Sequence, residues 1–296
     1  MTLPTPTRTG YVFNGWYDDS VSGTKIGESG ASYTPNKNIT LYAHWTAITY
    51  TITYNGNGYT SGSTASSSHT YDIEKELTAN GFERKYTVTY NANGGTISKE
   101  TSIATYSFSG WSLTASSTKV YDNKEKVINL TNINNGQVSL YAKWNSASVI
   151  LPTAEECKRP GYTLLGFNTS NSATTATMNP GSAYTPTSNI TLYAIWKPNT
   201  YTITFDAMGG AVTPNSKIVT YNSSYGTLPT PTQIGYSFLG WFTQDNIEIT
   251  ETTIVSILQN QILYAHWEPL GLVRIQDKKG NWLLAIPYIN INGDWK

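Results

Sequence analysis

Three histidines, one cysteine and nineteen carboxylates are the side chains of this 296-residue sequence that could move protons, attack an electrophile or bind a metal. Two of the histidines, His44 and His266, sit at the same place in a recurring pentapeptide: Leu41-Tyr-Ala-His-Trp45, Leu140-Tyr-Ala-Lys-Trp144, Leu192-Tyr-Ala-Ile-Trp196 and Leu263-Tyr-Ala-His-Trp267. A general base needs one tuned position, and a position that accepts His, Lys or Ile serves no common proton transfer. His69 stands apart in a Ser-rich stretch, residues 61–69, which reads as a loop with the ring in solvent. Asp18-Asp19 and Glu155-Glu156 lack the glycine and glutamate of a calcium loop and read as turn or surface charge. Asn55-Gly56-Asn57-Gly58 follows no nucleotide fingerprint. Cys157 has Lys158 and Arg159 beside it, which favours its thiolate, yet a single thiol closes no intrachain disulfide and reads as a bystander. These patterns assign no catalytic residue, no metal ligand and no cofactor, and the expectation is that the protein is not an enzyme.

The elements that carry these residues are legible from composition. Charged residues make up only 13% of the chain, and 24 Gly with 13 Pro punctuate a background rich in Thr, Ser, Asn and Tyr, a profile that favours short strands and turns over long helices. Nineteen basic side chains balance nineteen acidic ones, so no net field gathers nucleic acid or an anionic membrane surface. No apolar run approaches membrane-spanning length, which argues against membrane insertion. The first residues show no basic and apolar leader; either one has been removed or none is needed.

Repeats organise the chain. Three segments open alike, Tyr50-Thr-Ile-Thr-Tyr54, Tyr86-Thr-Val-Thr-Tyr90 and Tyr201-Thr-Ile-Thr-Phe205, each with the period-two alternation of a half-buried strand. Each is followed by a turn signal, Asn55-Gly56-Asn57-Gly58, Asn93-Gly94-Gly95 or Met208-Gly209-Gly210, that supplies the positive backbone angles of a tight hairpin. The four pentapeptides close the units, each preceded by a Gly-aromatic pair: Gly15-Trp16, Gly110-Trp111, Gly166-Phe167 and Gly240-Trp241. These motifs divide the chain into a closing half at 1–46, an enlarged repeat at 47–146, a second closing half at 147–198, a complete repeat at 199–268 and a C-terminal hairpin tail at 269–296. In the second closing half Val149-Ile150-Leu151 is the candidate substitute for a missing opening strand.

The fold class is mainly β: tandem small modules plus a C-terminal β-hairpin tail. Small modules need large apolar side chains. In each closing strand Leu, Ala and Trp share one face, so the tryptophans read as core, and Trp267→Ala is expected to cost about 3 to 5 kcal/mol. The neighbouring tyrosines Tyr42, Tyr141, Tyr193 and Tyr264 belong to the opposite face, where they are solvent-side residues or contact points. Trp282 and Trp295 in the tail are further candidate contact residues.

The series Tyr201-Thr-Ile-Thr-Phe205, Gly209-Gly210, Leu228-Pro-Thr-Pro-Thr-Gln-Ile-Gly-Tyr236, Gly240-Trp241 and Leu263-Tyr-Ala-His-Trp267 resembles the Listeria-Bacteroides repeat, the B repeat of internalin-type surface proteins. Whole or partial copies recur over residues 1–268. The resemblance implies a β-grasp-like module with at most a short helix, used in tandem as an extracellular stalk or adhesive region without enzyme activity. The ending Ile286-Pro-Tyr-Ile-Asn-Ile-Asn-Gly-Asp-Trp-Lys296 resembles carboxy-terminal endings of virion proteins of phages that infect Gram-positive bacteria.

Together these readings favour a structural or adhesive appendage on a virion exterior, in a tail, neck or head. A bacterial cell-surface adhesin or stalk is the alternative, and a carbohydrate-binding module built on Trp282, Trp295 and the exposed tyrosines is the third. Expected partners are other virion or surface subunits, copies of the chain itself, and a host cell-surface protein or glycan. Residues 1–46 lack an opening strand, so a sheet edge is left open there, which a neighbouring copy could fill by donating a strand.

Overall fold

The structure, a computed structural model, describes residues 1–271, 273–276, 279–280, 282–285, 290–291 and 294–295. Every regular element among them is a strand, so the mainly β expectation holds, and the short helix that the resemblance allows is not found among the described residues. The chain divides into two compact units. One holds residues 1–89, 101–150 and 183–190; the other holds 90–100, 151–182 and 191–296.

In the first unit, residues 11–47 form a three-stranded sheet in the order Lys25–Gly27, Tyr11–Tyr17, Tyr42–Ala47. The opening strand Thr49–Asn55 lies parallel to the closing strand Gly136–Asn145, with Ile52 opposite Val138 and Tyr54 opposite Leu140. Its outer edge takes Ser67–Thr70 antiparallel. Alternation sets the inward face: Tyr50 and Ile52 are buried while Thr49 and Thr51 are exposed. The strand Thr101–Ser112 changes partner midway. Its first half pairs with residues 84–89 and its second half pairs with Gly136–Asn145.

The second unit contains the complete repeat. Its strands run in the order Ser216–Thr220, Thr200–Asp206, Gln261–Pro269, Tyr236–Phe242, Glu248–Ile249, and Thr200–Asp206 is parallel to Gln261–Pro269. Ile203, Phe205, Val219, Tyr225, Trp241, Val255 and Leu263 form its core. The same unit pairs Tyr162–Asn168 with Ile190–Pro198. Residues 90–100, which the sequence reading grouped with 47–146, join it: Tyr90 meets the ring of Phe167, and Thr96–Ile97 pairs with Cys157–Lys158. Val149–Ile150 does not stand in for an opening strand, because it pairs with Ala183–Tyr184.

All four middle strands carry a β-bulge at the glycine of the Gly-aromatic pair, seen as register shifts at Phe13/Gly15, Phe108/Gly110, Leu164/Gly166 and Phe238/Gly240. Residues three apart in a regular strand face opposite sides; the extra residue of a bulge brings them to the same side. This is how Phe238 and Trp241 meet edge to face at 5.5 Å, and Phe108 and Trp111 at 4.9 Å. The bulge glycines need positive φ, +142° at Gly166 and +154° at Gly240. A methyl on Gly166 would also lie 2.2 Å from the Met178 carbonyl oxygen, whereas on Gly240 the nearest atom is the Glu248 carboxylate at 3.2 Å, which can swing away. Both alanine variants are expected to lose about 1 to 3 kcal/mol through backbone strain, with Gly166→Ala the more damaging. Hydrogen exchange across residues 162–168 and 236–242 measures the two losses.

The tail comprises two antiparallel pairs, Val273–Gln276 with Trp282–Ala285 and Asn290–Ile291 with Asp294–Trp295, consistent with the hairpin reading. The side chains of Trp282 and Trp295, and most of residues 286–296, lie outside the described residues.

Candidate interaction surface

The turns after the opening strands do not close tight hairpins. They adopt the expected positive angles, at Asn57, Asn93 and Met208, but the next paired strand starts several residues later. Their role is to receive the closing tryptophan. The indole N–H of Trp144 donates to the Gly56 carbonyl at 3.0 Å, that of Trp196 to Ala92 at 2.8 Å and that of Trp267 to Ala207 at 2.9 Å. The turns are braced by Asn55, Asn91 and Asp206, whose side-chain oxygens accept from the backbone N–H two residues on. Asn57 and Asn93 then donate from Nδ2 to the Ala142 and Ala194 carbonyls of the closing strands. Trp144, Trp196 and Trp267 are thus half-buried clamps, and the aromatics of the middle-strand Gly-aromatic pairs, Trp111, Phe167 and Trp241, are buried. Phe13 packs against Trp16 and Trp45, Phe108 against Trp111 and Trp144, and Phe238 against Trp241 and Trp267; the signal for them was the bulge glycine between each Phe and its Trp.

The four candidate tyrosines are distributed one to each closing strand. Tyr42 is exposed, and Tyr141, Tyr193 and Tyr264 are half-buried. Across the sheet they face Tyr17, Ser112, Asn168 and Phe242 respectively.

The titratable groups are absorbed into packing. His44 stacks on Tyr17 with ring centroids 3.9 Å apart and His266 on Phe242 at 4.0 Å, so this motif position covers the middle-strand aromatic where one is present. His69 corrects the solvent-loop expectation. It lies on the strand Ser67–Thr70, is 1% exposed, and packs against Tyr50 because that strand pairs with the first opening strand. Its Nε2 lies 2.9 Å from the Ser67 hydroxyl. Cys157 is also buried, and desolvation pushes its thiol up to about 11, assisted by Glu156 and only partly opposed by Lys158. That reverses the direction suggested by its basic neighbours in sequence. Asp19 braces a turn, accepting from the N–H groups of Val21 and Ser22. Among the described residues no grouping of three or more His, Cys, Asp or Glu side chains could hold a metal ion.

Burial first, and Lys75 second, lower the His69 pKa, so the folded protein holds the ring neutral. An unfolded chain takes up that proton near pH 6.5. Stability is therefore expected to fall as pH drops below about 6.5, towards the lower folded-state pKa, and to be unaffected by this group above that. A melting series from pH 8 to 5 should show the loss, and His69→Gln should flatten it; an equal slope in the variant would assign the acid sensitivity elsewhere.

The sequence matches the model of the Listeria-Bacteroides repeat domain at residues 1–44, 86–143, 133–195 and 201–266, more than half of the chain. The chain belongs to the Listeria-Bacteroides repeat family. The matched spans follow sequence order, joining the opening segment at 86 to the closing strand at 140–143, whereas the fold pairs that closing strand with Thr49–Asn55. Over 197 residues the chain is 28% identical to an Evansella cellulosilytica protein named "Putative Gly-rich membrane protein", covering 55% of this chain and 22% of that one. Over 53 residues it is 43% identical to Internalin H of Listeria monocytogenes, covering 18% of this chain and 10% of the internalin. The chain thus spans less than a quarter of the length of these curated relatives.

Proposed function

We propose that this chain is a non-enzymatic repeat region of a surface-exposed protein, serving as spacer and adhesive surface outside the cell. The observation that carries this reading is the division of labour within the repeat. The turn–indole clamp recurs in three copies and the bulge in all four, while the recurring motif position that holds a histidine in two copies varies among His44, Lys143, Ile195 and His266. Selection for a scaffold accounts for that pattern and selection for a shared reaction does not. Similarity to Internalin H and to a protein named for the membrane favours the cell surface. Its partners on this reading are other surface subunits and a host protein or glycan met through exposed side chains such as Tyr42, without nucleic acid, inserted span or cofactor.

Antibody raised against the purified chain tests the location. Gold label on the envelope of intact, unpermeabilised cells of the source organism is the expected result. Label on virions would replace this reading with the virion appendage that residues 286–296 suggest, and label confined to the cell interior would overturn both. A glycan array addresses the third reading: saturable binding that Tyr42→Ala abolishes would make the chain a carbohydrate-binding module.

A further inference from the structure

The first repeat is folded around a missing strand. Its closing strand Tyr42–Ala47 pairs on one side with Tyr11–Tyr17, and its other edge has no strand partner among the described residues. In two other repeats the stretch equivalent to residues 39–42 carries a parallel opening strand on that side, with Tyr54 opposite Leu140 and Phe205 opposite Leu263. The consequence is visible in burial. Leu140 and Leu263 are fully buried and Trp241 is 2% exposed, whereas their counterparts Leu41 and Trp16 are only half-buried. Beside them lies a groove of about 380 Å³ lined by Met1, Leu3, Trp16, Tyr33, Ile39 and Leu41. The rest of the repeat is assembled: Leu3 is buried, and the Trp16 indole donates to the Pro4 carbonyl at 2.9 Å just as Trp241 donates to Pro229 at 2.8 Å.

We propose that this groove and edge take up an extended segment of the opening-strand type from outside residues 1–296, added in parallel along residues 39–42, the counterparts of Gln261 to Tyr264. The other repeats set its chemistry and register. An aromatic residue stands opposite Leu41, as Tyr54 and Phe205 stand opposite Leu140 and Leu263. A β-branched residue two positions earlier stands opposite Ile39, as Ile52 and Ile203 stand opposite Val138 and Gln261. The turn that follows presents a carbonyl to the Trp45 indole, by analogy with Gly56 and Ala207. Main-chain pairing supplies affinity and the two inward side chains supply selectivity.

A second copy of this chain is a poor donor, which changes the expectation drawn from the sequence. Thr49–Asn55 and Thr200–Asp206 are each held between two strands of their own repeats, and Phe82–Asn91 is hydrogen-bonded to Thr101–Ser112. A copy that donated one of them would open its own core. The two compact units also show that opening and closing halves associate without being adjacent in sequence, since residues 90–100 complete a group with 151–182 and 191–198 across an intervening segment. The inference concerns assembly and stands whether or not the chain is displayed on a cell.

The test adds a synthetic peptide of residues 199–210, Asn-Thr-Tyr-Thr-Ile-Thr-Phe-Asp-Ala-Met-Gly-Gly, to the full chain, with binding read by fluorescence anisotropy and hydrogen exchange. A control peptide carries Ile203→Asp and Phe205→Asp, so selectivity is read on the unaltered protein. Saturable binding by the first peptide, at least tenfold weaker binding by the control, and new protection over residues 39–42 are expected. Equal binding of the two peptides, binding that protects a different segment, or no binding to a monomeric chain would overturn the proposal. Light scattering that found a stable dimer with residues 39–42 already protected would overturn it in favour of a second copy.

Discussion

Replacing Trp241 by alanine is expected to remove about 3 to 5 kcal/mol from the complete repeat, the cost of deleting a large, fully enclosed aromatic. The indole is 2% exposed, lies 4.8 Å from the Phe205 ring and 5.5 Å from Phe238, and donates its N–H to the Pro229 carbonyl at 2.8 Å. Alanine would leave a cavity at the convergence of the opening, middle and closing strands and an unpaired carbonyl at its wall. Trp267, singled out from sequence for the same loss, is half-buried and clamps the rim, so its truncation should cost less. Hydrogen exchange across residues 200–268 measures the difference locally. At 1.36 kcal/mol per factor of ten, Trp241→Ala should lower protection roughly a hundredfold or more. Unchanged protection, or a larger loss for Trp267→Ala, would refute this core assignment.

Phe167→Ala should be comparably damaging in the neighbouring group of the same unit, because Phe167 is 0% exposed. Its partner identifies which opening strand serves this closing half. The Tyr90 and Phe167 rings are 6.0 Å apart, so a double-mutant cycle between Tyr90→Ala and Phe167→Ala should report about 0.5 to 1.5 kcal/mol of coupling. A repeat that followed sequence order through residues 86–143 would couple Tyr90 to Trp111 instead. Coupling to Trp111 with none to Phe167 would overturn the pairing described above.

The strands themselves were legible because alternation is a local property. Tyr50 and Ile52, or Ile203 and Phe205, announce an inward face whatever lies beyond the next turn. The half-buried clamps were only partly legible: the Trp of each closing strand and the Gly-rich turn were both visible, but nothing local says that one donates to the other. The inward phenylalanines were missed because strict period-two counting places Phe238 and Trp241 on opposite faces, and only the bulge at Gly240 reconciles them. His69 and Cys157 were misjudged for a shared reason. Their sequence neighbours are polar or basic, but protonation responds to the atoms packed around a group in space, and burial outweighed Lys158 at Cys157 and removed His69 from solvent.

What the amino-acid order decided alone was the repeat: three near-identical opening strands, four closing strands, positive-φ turns and the glycines that permit bulges. What only the tertiary structure decided was which opening strand meets which closing strand, and that the closing half at 147–198 is completed from residues 90–100. Parallel strands are joined by long crossovers rather than tight turns, so their pairing leaves no mark in neighbouring residues. Opening strands with the same inward pattern offer nearly equal local matches. The choice among them rests on connection lengths and on how many apolar faces can be buried at once, and those quantities exist only when the whole chain is folded.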